Sequence, residues 1–146
     1  MRKLLIQTFA ASASIASVLA ATFTAIPRTA ADTTGCVFNR FSCIKVVGNS
    51  LYVNYIQGGA KLAPGQVITG HMQIRGEGFD VNTAERNYKV LCNSQTGLCD
   101  SIDWSEPVYL KRNLRNGSQV CSRFWRKQGN KHVSANDDYA CKKIEK

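Results

Sequence analysis

No window of this chain holds a sustained helical period with caps at its ends, which argues against a helical architecture. Gly-x-Ser-x-Gly, His-Glu-x-x-His, a P-loop and a dinucleotide fingerprint are all missing. The common hydrolase, metalloprotease and nucleotide-binding chemistries therefore lack their residues. No Cys-x-x-Cys pair is present, and the two histidines, His71 and His132, lie far from any such pair in sequence. Neither a metal nor a cofactor is expected. Low-complexity tracts, linkers and internal repeats are also lacking. Beyond residue 31 no apolar run approaches the roughly 20 residues that span a bilayer.

What is present begins with an export signal. Arg2 and Lys3 precede an uncharged apolar stretch from Leu4 to about Ile26, ended by Pro27 and Arg28 and followed by Thr29-Ala30-Ala31. Basic, apolar and small residues in that order read as a secretory signal peptide. Cleavage is placed after Ala31, with Ala30 and Ala25 as alternatives. The run is long enough to be a membrane anchor, but Gln7, Thr8, Ser12, Ser14 and Ser17 dilute it. The expected organisation is a signal over 1–31 and one secreted domain over 32–146.

All six cysteines lie in that second part: Cys36, Cys43, Cys92, Cys99, Cys121 and Cys141. An even count behind an export signal reads as a disulfide framework, although many pairings are open to six cysteines. Spacing suggests three sequential staples, Cys36–Cys43, Cys92–Cys99 and Cys121–Cys141. Each of the first two closes a loop of six intervening residues.

Turn signals recur at short intervals: Gly48-Asn49-Ser50, Gly58-Gly59, Pro64-Gly65, Gly76-Glu77-Gly78, Asn116-Gly117 and Gly129-Asn130. Between them lie short runs rich in β-branched and aromatic residues. This rhythm predicts an all-β fold, a small sandwich or open barrel of about six to eight short strands. Phe41 to Val47 and Leu51 to Ile56 read as a hairpin, the latter with Leu51, Val53 and Tyr55 on one side. Gln66 to Arg75 and Tyr88 to Cys92 read as strands. Residues 82–87 read as one helical turn or a loop. Val108 to Leu114 and Gln119 to Lys127 flank Asn116-Gly117, the strongest hairpin signal in the chain. A last strand is placed from about Asp138 to Ile144.

Charge is unevenly distributed. Residues 32–110 hold six basic and seven acidic residues, whereas residues 111–146 hold ten basic and three acidic. A field of one sign steers an acidic partner toward that face, or simply keeps a basic protein soluble. The candidate binding face comprises Lys111, Arg123, Trp125, Arg126, Lys127, Lys131 and Lys142. The expected partner is another extracellular protein or an anionic surface polymer rather than nucleic acid.

Other constellations have plainer explanations. Arg123-Phe124-Trp125-Arg126-Lys127 interleaves aromatic and basic residues, as nucleic-acid binders do. Strand alternation, however, sends Phe124 and Trp125 to opposite faces. Trp104 and Trp125 suit a core role better than an aromatic platform. His71 and His132, or either with Glu77, Glu85 or Glu106, would suit a secreted ribonuclease. No spacing places them on one element. Carboxylate pairs for glycoside hydrolysis are drawn from Asp100, Asp103 and Glu106, or from Asp137 and Asp138, which read more simply as loop residues. Asn116-Gly117-Ser118 matches a glycosylation acceptor but is explained by the turn.

The chain also resembles a known group. Cys43-Ile44-Lys45-Val46, Gly70-His71-x-x-Ile74-x-Gly76, Leu110-x-Arg112-Asn113-Leu114-x-Asn116-Gly117-x-x-Val120-Cys121-x-x-Phe124-Trp125 and Ala140-Cys141 resemble small secreted disulfide-containing proteins of actinobacteria such as Streptomyces. The resemblance spans most of the chain after residue 31, through turns, strand cores and a bridge. It implies no enzymatic activity. It implies a protein-binding β-module, the small adapter subunit of umbrella-type toxin particles. The Cys92 to Cys99 loop is an addition relative to that pattern. No binding residue transfers from the resemblance. Three functions are therefore carried forward: a non-enzymatic interaction module, a cationic antimicrobial or cell-surface-active protein, and a small secreted nuclease.

Overall fold

The computed structural model describes residues 33–37, 41–135 and 139–146. The expected leader, Asp137 and the Asp138 start of the last strand lie outside the described residues. Thirteen strands run among those described: β1 (Thr33–Cys36), β2 (Ser42–Asn49), β3 (Tyr52–Lys61), β4 (Val67–Gly76), β5 (Phe79–Asn82), β6 (Arg86–Lys89), β7 (Leu91–Cys92), β8 (Cys99–Asp100), β9 (Ile102–Trp104), β10 (Val108–Asn113), β11 (Gln119–Gln128), β12 (Lys131–Ser134) and β13 (Ala140–Lys143). No helix occurs among the described residues, and the fold is all-β as expected. The strands outnumber the six to eight expected. Many of them span four residues or fewer, too short for a period of two to show.

Three ten-residue strands organise the molecule. In the first sheet, of five strands, β3 pairs with β2 along one edge and divides the other between β10 and β9. In the second sheet, of six strands, β4 and β11 pair with each other. The far edge of β4 is divided between β5 and β6, and that of β11 between β12 and β13. All these pairings are antiparallel. Strands β7 and β8 form a separate hairpin.

The inner faces pack on each other. Ile44, Val46, Val53 and Ile56 come from the first sheet, and Met72, Ile74, Val120 and Phe124 from the second. Tyr88 meets Phe124 edge-on at 5.1 Å. Two buried serines stitch the sheets together. The Ser122 hydroxyl donates to the Cys43 carbonyl at 2.6 Å, and the Phe124 N–H donates to Ser42 Oγ at 3.0 Å. Buried polar groups satisfied in this way cost little.

Several local expectations change. Asn116-Gly117 does turn the chain, with Gly117 at φ 84°, but it makes no hairpin. Strand β10 pairs with β3 and β11 with β4. Leu114 is the reason: it is buried, its N–H donates to the Leu51 carbonyl, and the chain changes sheets around it. Tight hairpins do form at Ser50-Leu51, where the expected pairing of β2 with β3 is made, and at Glu77-Gly78 and Gly129-Asn130. Residues 82–87 hold no helical turn; Asn82 ends β5 and Arg86 begins β6. Val53 is buried and Leu51 packs against the core as expected, but Ile56, not Tyr55, continues that side of β3. A bulge between Val47 and Gly48 in the β2–β3 ladder accompanies this change of alternation.

Three disulfides close, Cys36–Cys43, Cys92–Cys99 and Cys121–Cys141. Each joins residues directly opposite each other on antiparallel neighbours. Such bridges are compatible with an oxidising, extracellular setting. Among the described residues no helix is long and apolar enough to cross a membrane.

Candidate functional site

The outer face of the second sheet gathers the polar residues of β4 and β11. Along β4, Met72 and Ile74 turn inward, so His71, Gln73 and Arg75 turn outward. Along β11, Val120, Ser122 and Phe124 turn inward, so Arg123, Trp125 and Lys127 turn outward. The register sets Arg123 opposite Gln73 and Trp125 opposite His71. From β12, His132 stands opposite Lys127. Tyr139 joins them just ahead of β13.

Two networks wire this face. In the first, Arg75 and Arg123 place their guanidinium carbons 3.6 and 3.8 Å from the centre of the Tyr139 ring. Two groups that close to one centroid must cover opposite faces of the ring, and both contacts are favourable. The Tyr139 hydroxyl and Trp125 Nε1 donate to Gln73 Oε1 at 3.2 and 3.0 Å. Gln73 Nε2 in turn donates to Asp80 at 2.9 Å. In the second network, Glu85 accepts from Lys127 Nζ at 2.7 Å and lies 2.6 Å from His132 Nε2. The His132 ring meets that of His71 edge-on at 4.6 Å, and His71 lies nearly parallel to Trp125 at 6.5 Å.

The electrostatics follow from these contacts. Hydrogen bonds from Lys127 and then His132 hold the Glu85 carboxyl below the usual range. Burial, and then the neighbouring His132, push His71 below the ordinary histidine value of 6.5, while Glu85 opposes them. The folded protein thus binds this proton less readily than the unfolded chain. As pH falls below 6.5 stability drops, until folded His71 itself protonates. An NMR titration is expected to find His71 protonating below 6.5, with His132→Ala moving it part of the way back up. A His71 midpoint unchanged by that substitution would remove the coupling.

The residues expected to form one basic face are dispersed. Arg123, Trp125 and Lys127 share the outer face. Lys131 stands at the adjoining hairpin tip. Arg126, opposite Gly70, and Lys142, opposite Val120, fall on the inner-facing side of the sheet, and Lys142 lies over Gly35. Lys111 belongs to β10 in the other sheet. The basic excess has a second centre at the opposite end. There Arg112 donates to the Glu77 carbonyl at 2.9 Å, Arg115 pairs with the Glu77 carboxylate, and Lys143 pairs with Glu145.

Other candidates also resolve. Trp104 packs against Gly59 in the first sheet, so it builds no platform with Trp125. Asp103 is buried against Arg86, and Asp100 stands exposed on β8. His71, His132 and Glu85 do come together, which sequence spacing alone does not show. Register across β4, β11 and β12 achieves it. None of the exposed large hydrophobics, Tyr52, Val67, Val81, Leu91, Leu98 and Tyr109, lies on β11 beside the Arg123–Lys127 run. Among the described residues no cluster of three or more His, Cys, Asp or Glu side chains is arranged to hold a metal.

Comparison with protein-family models, with curated proteins and with solved structures returns no match.

Proposed function

We propose that this chain is a secreted, non-enzymatic interaction module, an adapter in an extracellular toxin assembly, that engages an acidic partner through the outer face of its second sheet. The observation that carries the reading is the convergence of Arg75 and Arg123 on Tyr139 beside Trp125, with Lys127, paired to Glu85, on the same outer face. An exposed Arg75 and a half-buried Arg123 beside rigid aromatic rings suit an interface, where Tyr, Trp and Arg concentrate binding energy. Arg75 belongs to the near-neutral part of the sequence, yet folding carries it into the face.

The test measures association with whatever acidic protein or polymer co-purifies from the producing organism's medium. Arg75→Gln, Arg123→Gln and Lys127→Gln together are expected to slow association about tenfold at low salt, since such charges act mainly on encounter. Lys45→Gln with Lys111→Gln should change it little. Raising salt should weaken the attraction, because the Debye length falls from about 10 Å at 0.1 M to about 3 Å at 1 M. Equal behaviour of the two variants, or indifference to salt, would leave the face a solubility feature.

A second reading, a nuclease, is favoured by one observation: His71, His132 and Glu85 are neighbours. One imidazole would accept a proton while the other, held by Glu85, would donate one. Incubation with RNA and with DNA decides it. Cleavage abolished by His71→Ala and by His132→Ala supports this reading, and intact strands remove it.

A further inference from the structure

The β7–β8 hairpin contributes nothing to the core, yet a disulfide and its own hydrogen bonds fix it. Every residue from Leu91 to Ser101 is exposed. Cys92–Cys99 closes it. Its tip is held by its own hydrogen bonds. The Asn93 N–H donates to the Leu98 carbonyl at 2.8 Å, and Asn93 Oδ1 accepts from the N–H groups of Gln95 and Thr96 at 2.8 and 3.2 Å. Gly97 supplies the left-handed turn at φ 68°.

The root is fixed as firmly. Strands β6 and β9 lead into and out of the hairpin from different sheets. Buried Asp103 clamps them, accepting from Arg86 Nη2 at 2.8 Å and from the Lys89 N–H at 3.0 Å. The Leu62 N–H donates to the Ser101 carbonyl at 2.8 Å, holding the return strand. The hairpin is therefore a braced projection from the seam between the sheets.

One side presents two leucines, with Asp100 among them. Leu91 stands opposite Asp100, and Cys92 opposite Cys99. By alternation the disulfide takes one face, while Leu91 and Leu98 take the other as diagonal neighbours. They are 54% and 74% exposed. A loop that presents two leucines to water gains nothing for the fold. Bracing it lowers the conformational cost of binding, which is what a preorganised recognition element requires.

We infer that residues 91–100 form a rigid finger whose Leu91–Leu98 stripe docks into an apolar groove on a partner protein. The charge pattern selects a protein over an anionic membrane. The finger carries a single charged residue, Asp100, and no lysine or arginine, in a chain whose net charge is +9. Loops that seat leucines in anionic bilayers draw on adjacent cations. Here Asp100 stands directly opposite Leu91, so the charge nearest the leucines is negative. The groove should accordingly carry a neutral or basic rim. This inference is independent of the basic sheet face.

The test uses the full chain with a photoreactive benzoylphenylalanine in place of Thr96, at the finger tip, irradiated in the producing organism's medium. One discrete adduct is expected. Excess unlabelled wild-type chain should compete it away, and an excess of Leu98→Ser chain should compete at least about tenfold less well. The Cys92→Ser, Cys99→Ser double variant should compete as poorly as Leu98→Ser, while both variants melt at the wild-type temperature. The same photoreactive residue at Val81, outside the finger, should give no such adduct. Absence of an adduct, or equal competition by Leu98→Ser, overturns the inference. Binding of the wild type to phosphatidylglycerol vesicles that Leu98→Ser abolishes would also overturn it, in favour of a lipid surface.

Discussion

Replacing both Cys121 and Cys141 by serine is expected to lower unfolding stability by about 3 kcal/mol, within the range for native bridges in small secreted domains. The bridge spans a sequence separation of 20 and joins β11 to β13. Strand β13 is four residues long; it brings Ala140 to the core, and Ile144 just after it follows. Without the bridge, the unfolded chain regains the freedom of that loop, while packing still holds the folded state in place. The contrast with Cys92–Cys99 follows from the same argument. There the folded state is free to loosen along with the unfolded one, so global stability hardly changes. Denaturant unfolding of the two double variants measures both. A midpoint unchanged by Cys121→Ser with Cys141→Ser would show that β13 docks without its staple.

Asp103→Ala is expected to cost about 3 kcal/mol, the lower end of what breaking a buried pair costs. Its carboxylate is almost buried and takes hydrogen bonds from Arg86 and from the Lys89 backbone. Removing it leaves the Lys89 N–H without its acceptor and the Arg86 guanidinium without its carboxylate, still donating to the Trp104 carbonyl. The lower end applies because Arg86 is 35% exposed and can turn partly to water. Asp103→Asn should recover part of the loss by still accepting the Lys89 N–H. Chemical denaturation of the two variants gives the comparison. Equal stability for wild type and Asp103→Ala would mean that the clamp does not hold β6 to β9.

Local features of this fold were readable from the residues. Alternation sends Phe124 and Trp125 to opposite faces of β11, and short cysteine spacings match bridges across a ladder. What alternation could not supply was which strand lies beside which. Asn116-Gly117 has the residues of a hairpin, yet the burial of Leu114 sends the chain into another sheet. Arg75 lies far from the basic carboxy-terminal segment in sequence, yet it stands one strand away from Arg123. Tyr139, at the centre of the face, carries no local signal: its role depends on two arginines brought to it from β4 and β11. Likewise, His71 and His132 meet only because β11 lies between their strands. Register between distant segments is decided by the whole core, and a single sequence records it only indirectly.

The divided edges of the three long strands bear on how this protein behaves when crowded. A long open edge is a template on which another copy can pair, and from which ordered aggregates grow. Here each long strand is capped by short ones: β9 and β10, β5 and β6, β12 and β13. None of the six exceeds six residues, and the longest, β10, is interrupted between Tyr109 and Arg112. A neighbouring molecule approaching any of these borders finds a ladder that breaks off within a few rungs. A sheet built in this way keeps its colloidal independence through geometry, with no need for a guarding lysine at every rim.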